Sequence, residues 1–286
     1  MLGRDVDRRS RQRGNGYPFA QVASLLRAAD LTFGNLESPL TDRPTRFPRI
    51  NALRGSPEMA PVLKQAGFDV MSLANNHAID YGRAGLAQTL EVLQAAGLMP
   101  VGAGRTLREA EQGVVLTARG VRVGFLAYSH FPYADFVHAP QRESILQLNE
   151  EALRRTIPSL ARRCDVLVVS YHWGKEGSRR VTPYERNLAH LAVDLGARLV
   201  IGHHAHVRGA IEQYRRSLIA YCLGNLVFDE RSYGGNEGYV LTCRLRAAGV
   251  MSYSLVPVRV VSGQAALEQI VGQGGTEVAL KEGHSD

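Results

Sequence analysis

The chain has 286 residues, 45% of them hydrophobic and 21% charged, with a formal net charge of +7. That length and balance suit one large α/β domain and exclude a disordered or fibrous chain. No apolar run approaches the ~20 residues that a membrane-crossing helix needs. The N-terminus, Met1 to Arg13, is basic and has no apolar core of a signal peptide, so the expected location of the chain as it stands is the cytoplasm. Cys164, Cys222 and Cys243 lack metal-ligand spacing, and the first two sit beside apolar runs as small core residues would. Basic residues gather at Arg4–Arg13, Arg43–Arg54 and Arg179–Arg180. They suit an anionic substrate or polymer, or form a plain solvated basic surface. No basic-aromatic interleaving or motif marks a nucleic-acid binder, and none is expected as a partner.

In chain order, residues 1–16 lack periodicity and are expected to be irregular. Apolar spacing predicts a helix over residues 17–29, then a short strand, Leu31 to Phe33, ending in Gly34-Asn35-Leu36-Glu37. Residues 39–55 form a Pro/Arg loop. Ser56-Pro57 opens a helix that runs to about Ala66 and stops at Gly67. A strand from Phe68 to Leu73 ends in Ala74-Asn75-Asn76-His77. An amphipathic helix over 81–96 is closed by Gly97, a strand and turn follow at Met99–Gly104, and Thr106 with Glu109 matches a capping box. A hairpin turns at Arg119-Gly120. After a long loop over 129–147, a helix over 149–163 contains Pro158. A buried strand, Asp165 to Ser170, ends in Tyr171-His172-Trp173-Gly174, where Trp173 reads as packing. A helix over 184–195 closes at Gly196, and a further strand, Leu199 to Ile201, stops at Gly202-His203-His204-Ala205-His206. Four strand-like runs occupy 208–260 with no helix among them. The expectation is one domain over 1–262 and a loose tail over 263–286. Alternating strands and helices, then antiparallel strands, give an α/β core with a mixed sheet, or two sheets packed between helical layers.

The chemistry gathers where apolar strands end: Glu37, Asn75 to His77, His172, and His204 with His206. Ligands in open α/β sheets bind beyond the carboxyl ends of the strands, so these side chains can share one cleft. A carboxylate, an amide and several imidazoles are a mixed oxygen and nitrogen donor set. It suits a pair of divalent ions such as Mn, Zn or Fe better than Ca or a structural Cys-rich zinc site. His130, His138, His190 and His284 stand in no supporting pattern and are expected to be ordinary.

The motifs Gly34-Asn-Leu-Glu37, Leu73-Ala-Asn-Asn-His77 with Asp80-Tyr-Gly82, His172-Trp-Gly-Lys-Glu176, Gly202-His-His-Ala-His-Val207 and Tyr221 to Asp229 follow one another in this chain. Their order resembles that of CapA-type proteins, which are associated with bacterial poly-γ-glutamate capsule synthesis and are similar to calcineurin-like metallophosphoesterases. The resemblance covers roughly residues 1–230. It implies a four-layer αββα fold, two mixed sheets packed as a sandwich flanked by helices. It implies Glu37 as a bridging carboxylate, Asn75 or Asn76 as an amide ligand with Asn76 favoured by adjacency to the histidine, and His172, His204 and His206 as further metal ligands. His77 would be the general acid or a transition-state electrophile. Glu176, a catalytic candidate beside His77, and Asp80 would stand on the substrate side or behind the ligands. Asn225 and Asp229 would shape the floor. Chains of that family open with a strand and Gly-Asp-x-Met-Leu-Gly-Arg, whereas this one opens at Met1-Leu2-Gly3-Arg4, with Asp5 and Asp7 out of register. The missing strand and carboxylate are expected either upstream of Met1, which would also place the protein in the cell envelope, or lacking, which would favour a single metal.

The expected function is a metal-dependent phosphoesterase-like hydrolase tied to capsule polymer synthesis. The alternative is a non-hydrolytic component that binds a polyanion during polymer synthesis or export, with capsule-synthesis membrane proteins as partners.

Overall fold

The computed structural model describes residues 1–44, 52–131, 141–229, 235–268 and 278–279. Two of the sequence expectations fail near the N-terminus. Arg4–Arg13 (α1) is a helix, not irregular chain. Asp5 pairs with Arg8 and Asp7 with Arg11 at helical spacing, the acids lie in the first turn, and Val6 and Ser10 are the buried face. Residues 17–29 are broken into a 3₁₀ turn, Tyr17–Phe19, and a short helix, Ala23–Arg27 (α2), with Pro18 in the turn.

From there the order follows the sequence closely. Phe33–Asn35 is β1 and Met59–Ala66 is α3. The helix α3 starts past Ser56, whose Oγ accepts only a long 3.4 Å bond from Glu58 N, and it ends at Gly67 with φ of 113°. Val70–Ser72 (β2), Gly82–Ala95 (α4), Met99–Val101 (β3) and Ala103–Gly104 (β4) come next. Leu107–Gln112 (α5) has half of the expected capping box: Thr106 Oγ1 accepts from Glu109 N, but the Glu109 carboxylate turns to Arg105 N. Val114–Ala118 (β5) and Val121–Ser129 (β6) are the predicted hairpin, and Ser144–Ile145 (β7) lies within the long loop. Glu150–Ala161 (α6), Val166–His172 (β8), Pro183–Asp194 (α7) and Leu199–His203 (β9) follow. The four later runs are Ile211–Tyr214 (β10), Ser217–Ala220 (β11), Glu237–Arg246 (β12) and Gly249–Val261 (β13). Residues 264–267, expected in a loose tail, form Gln264–Leu267 (β14), which pairs antiparallel with β13, and Val278–Ala279 (β15) pairs there too. Residues 269–277 and 280–286 of that tail, with His284, lie outside the described residues, as do His138 and residues 45–51 of the Arg43–Arg54 stretch.

Six strands make the main sheet in the order β10-β11-β9-β8-β6-β5, parallel from β11 to β6. A parallel set, β1-β2-β3, and an antiparallel set, β12-β13-β14, make smaller sheets. The period of two along each strand divides the core. Val123, Phe125, Val168, Leu199, Ile201 and Leu218 join Val70, Met71 and Val258 of the smaller sheets and the apolar stripes of α3 and α4. Leu126, Tyr128, Leu167, Val169, Tyr171, Val200 and Ile219, on the opposite face, pack with Leu153 and Ile157 of α6 and Leu188 and Ala192 of α7. The layers therefore run helix, sheet, sheet, helix. Every residue of β8 is buried, His172 included, so the strand carries an imidazole into the interior at its carboxyl end. Among the described residues no helix is long and apolar enough to cross a membrane.

α7 holds the back of the main sheet and is fastened at its start by a full capping box, with Thr182 and Glu185 exchanging bonds. Thr182→Ala removes the side-chain acceptor for Glu185 N. We expect a loss of about 1 kcal/mol, read as a lower urea midpoint at unchanged slope.

Candidate metal centre

β1 and β2 in one sheet and β8 and β9 in the other end at a common cleft, and each delivers polar side chains into it. The turn after β9 is tight. A Cβ on Gly202 would lie 1.8 Å from Tyr221 O, so only glycine lets the two backbones approach. His204 and His206 then take left-handed φ values of 89° and 57°. Non-glycine residues hold such angles only where their surroundings dictate them. Here the turn brings two imidazoles, two residues apart, round to Glu37. Trp173 packs as expected, buried, with Nε1 donating to Tyr221 O at 3.0 Å.

Glu37, His204 and His206 are all buried, and one donor atom from each lies within 4.8 Å of the others. His172 Nε2 stands 3.4 Å from Glu37 Oε1, and His206 Nε2 stands 3.7 Å from it. His172 Nε2 also faces Asn76 Oδ1 at 2.8 Å and His204 Nδ1 at 3.2 Å. Glu37 Oε1 and His172 Nδ1 are buried with no hydrogen-bond partner. An orphaned carboxylate oxygen ringed by imidazole nitrogens, with an amide oxygen beside them, is the donor set of a site for a divalent cation. These residues fit such an ion. The structure thus contains a His/Glu cluster able to bind a metal.

Burial penalises charge on these rings. It lowers His172 below its ordinary value and lowers His203 and His204 to about 3, which leaves them neutral near pH 7, the form that ligates metal. Burial also opposes the charge on Glu37, but the facing imidazoles of His172, His206 and His77 outweigh it, and the net direction is downward.

The two adjacent asparagines have different duties. Asn75 is fully buried, and its amide donates to Leu36 O at 2.9 Å and Asn35 Oδ1 at 3.3 Å, tying the β2 end to the β1 end. Asn76 turns its oxygen into the cluster. His77 lies beside it, its Nδ1 2.7 Å from Asp80 Oδ2, which also accepts from Leu53 N at 2.8 Å. A carboxylate acceptor places the proton on Nδ1 and leaves Nε2 free of that bond. Glu176 is solvent-exposed and lies outside the cluster, although its neighbour Gly177 donates to Ala205 O at 2.8 Å. Asn225 Oδ1 meets His206 Nδ1 at 2.9 Å, and buried Asp229 meets Arg4 at 3.4 Å. Asp5 and Asp7 stay on α1 with their arginines. His190 is a partner of Glu212 at 2.7 Å, and Arg179 is paired with Glu237. Sequence reading missed Phe131, whose ring centroid is 4.1 Å from that of His204, and Phe228, 4.6 Å from His206. It also missed Asn35, whose amide reaches Glu37 Oε2 at 3.3 Å. The signal for Asn35 lies two residues before Glu37 in the same motif. Phe131 lies in a loop whose fold has no local signature.

Residues 1–230 match the family described as bacterial capsule synthesis protein PGA_cap. The chain belongs to that family. The capsule biosynthesis protein CapA of Bacillus anthracis is 31% identical over 271 residues, covering 92% of this chain and 66% of that protein. The PGA biosynthesis protein CapA of Bacillus subtilis strain 168 is 31% identical over 261 residues, covering 90% and 69%. The chain thus spans about two thirds of the length of these PGA_cap relatives. Among solved structures, a hypothetical protein from Thermus thermophilus aligns over 91% of this chain and 92% of its own at 16% identity, with a TM-score of 0.48.

Two predictions follow from the division of labour and from the buried rings. Asn75→Ala leaves Leu36 O unpaired and is expected to cost about 1–3 kcal/mol in chelator-treated protein. Asn76→Ala is expected to spare that stability and to weaken Mn²⁺ binding about 10- to 100-fold, as read by calorimetry and melting curves. The unfolded chain binds protons at histidine below about pH 6.5, where His203 and His204 in the fold do not until about 3. The unfolded state therefore holds more protons across that window, and stability of the metal-free protein falls as pH drops through it. His203→Leu should make that fall shallower and leave stability near pH 8 little changed, measured by urea unfolding at pH 8, 6 and 5.

Proposed function

We propose that the cluster is the centre of a metal-dependent hydrolase of phosphoester-like bonds, and that this chain acts on an anionic substrate in capsule polymer synthesis. The observation that carries the reading is the buried Glu37, His204 and His206 set, whose donor atoms lie within 4.8 Å of one another, with His77 nearby held by Asp80. Glu37, His204 and His206 would hold the ion, with His172 and Asn76 as adjoining donors. When bound, a divalent ion such as Mn²⁺, Zn²⁺ or Fe²⁺ supplies Lewis acidity to the scissile group and acidifies water.

The chain's own residues do the rest. Asp80 keeps the His77 ring in one orientation. Protonated His77 gives its Nε2 proton to the departing oxygen, which would otherwise leave as a poor, strongly basic group. His77 is only 17% exposed, so its proton meets little competing water. Phe131 and Phe228 pack at a tilt against His204 and His206 and help to keep solvent from those rings. Asn75 fixes the distance between the loops that carry Glu37 and His77. The two CapA relatives are named for capsule and PGA biosynthesis, which supports a polymer-linked substrate.

Purified protein loaded with Mn²⁺ should hydrolyse bis-p-nitrophenyl phosphate, and chelator should stop it. His77→Ala is expected to lower kcat about 10²- to 10⁴-fold while metal content stays at the wild-type level. His204→Ala is expected to lose metal and activity together. Activity indifferent to both substitutions would overturn the mechanism. Metal binding without turnover of any phosphoester would leave a binding centre in its place.

A further inference from the structure

We propose that Arg54 is the substrate-binding arm of this centre, a fixed guanidinium that takes a phosphoryl-type oxyanion beside His77. The inference deepens the hydrolase reading and rests on it for the identity of the site. Four observations place the residue. First, Leu53 N donates to Asp80 Oδ2 at 2.8 Å, the same oxygen that faces His77 Nδ1 at 2.7 Å. Arg54 is therefore one residue away from the atom that orients the general acid.

Second, its backbone is clamped. Gly55 N donates to Pro39 O at 2.9 Å, Gly55 O accepts from Thr41 N at 3.1 Å, and Gly55 bridges to both Gly3 and Leu40. A Cβ on Gly3 would lie 2.4 Å from Arg54 O, so the chain passes against Gly3 with no room for a side chain between. Third, the Arg54 guanidinium lies over the Tyr81 ring, 5.1 Å from its centroid. Tyr81 follows Asp80 directly in the chain, so the seat of the cation and the anchor of His77 are neighbouring residues.

Fourth, no carboxylate among the described residues pairs with Arg54. The contrast is with Arg122 on Asp165, Arg155 on Glu111 and Arg186 on Glu212, whose guanidinium charge is already engaged. Arg54 is exposed, so its donors face solvent. A guanidinium stacked on an aromatic ring keeps its edge N–H groups free and pre-orders them, which suits two-pronged recognition of an oxyanion. Held by its backbone and its stack, this one loses little freedom on binding.

The test uses the full chain loaded with Mn²⁺. Arg54→Met is expected to raise KM for bis-p-nitrophenyl phosphate about tenfold or more, with a smaller change in kcat, the signature of lost substrate binding and not of lost chemistry. The inhibition constant of inorganic phosphate should rise by a similar factor. Arg54→Lys and Tyr81→Leu should fall between, since one keeps a point charge and the other removes its seat. Metal content and melting temperature should match wild type, which separates a binding role from a structural one. An unchanged KM and unchanged phosphate inhibition would overturn the proposal. Should wild type turn over no phosphoester, the hydrolase reading fails by itself. Calorimetric titration of the metal-loaded protein with inorganic phosphate then decides Arg54: a weaker affinity by about tenfold in Arg54→Met supports it, and equal affinity rejects it.

Discussion

The buried carboxylate of Glu37 is the constraint that the rest of the site answers. It is 5% exposed, and one of its oxygens has no hydrogen bond. A charge so placed is costly unless other groups compensate it. Its neighbours are imidazole nitrogens at 3.4 and 3.7 Å, beyond the usual range of a good hydrogen bond. Glu37 Oε1, held close to these rings without a hydrogen bond, keeps its lone pairs available. That spacing is costly in a protein core, and it is supported by the fold on every side. β8 is buried along its whole length and can carry His172 inward, Gly202 permits the close turn before His204, and Asn75 ties the ends of β1 and β2 together.

Parallel topology explains why four distant segments meet. β1 beside β2, and β8 beside β9, run the same way within their sheets, so each pair ends at the same edge of its layer. Packing the two layers face to face brings those edges to one cleft. The apolar alternation that builds the layers is independent of the polar residues at the strand ends. The core can therefore be made by Val, Leu and Ile in period two while the last one or two residues of each strand carry chemistry.

That separation also decides what sequence can and cannot disclose. The strand ends are legible because an imidazole directly after a run such as Leu199 to Ile201 has no packing reason to be there. The helices α4, α6 and α7 and the hairpin are legible from spacing and turn residues. α1 is not, because its surface is almost entirely charged and its single apolar residue, Val6, makes no stripe; ion pairs between turns are its visible support. Asn75 and Asn76 are inseparable on paper, since adjacent residues in a turn point apart only once the backbone is known. Glu176 gains weight in the sequence from its nearness to His172, yet the loop after β8 carries it outward into solvent. Phe131 and Arg54 act through loops whose positions are set by tertiary bonds such as Leu53 N to Asp80, and no local pattern encodes these.

The net charge of +7 is a poor guide to how an anion reaches this centre. Much of the arginine is engaged at the surface with Asp30, Glu111, Glu150 and Asp165, in pairs that are screened by salt and contribute little individually. Inside the cleft the sign is the opposite. With His172, His203 and His204 neutral, these three rings do not offset the charge of Glu37, which by itself disfavours an anion beside it. A divalent cation held there would reverse the sign of that charge, in surroundings where charges interact more strongly than in water. The same ion that relieves the burial of Glu37 would therefore make the cleft attractive to an oxyanion.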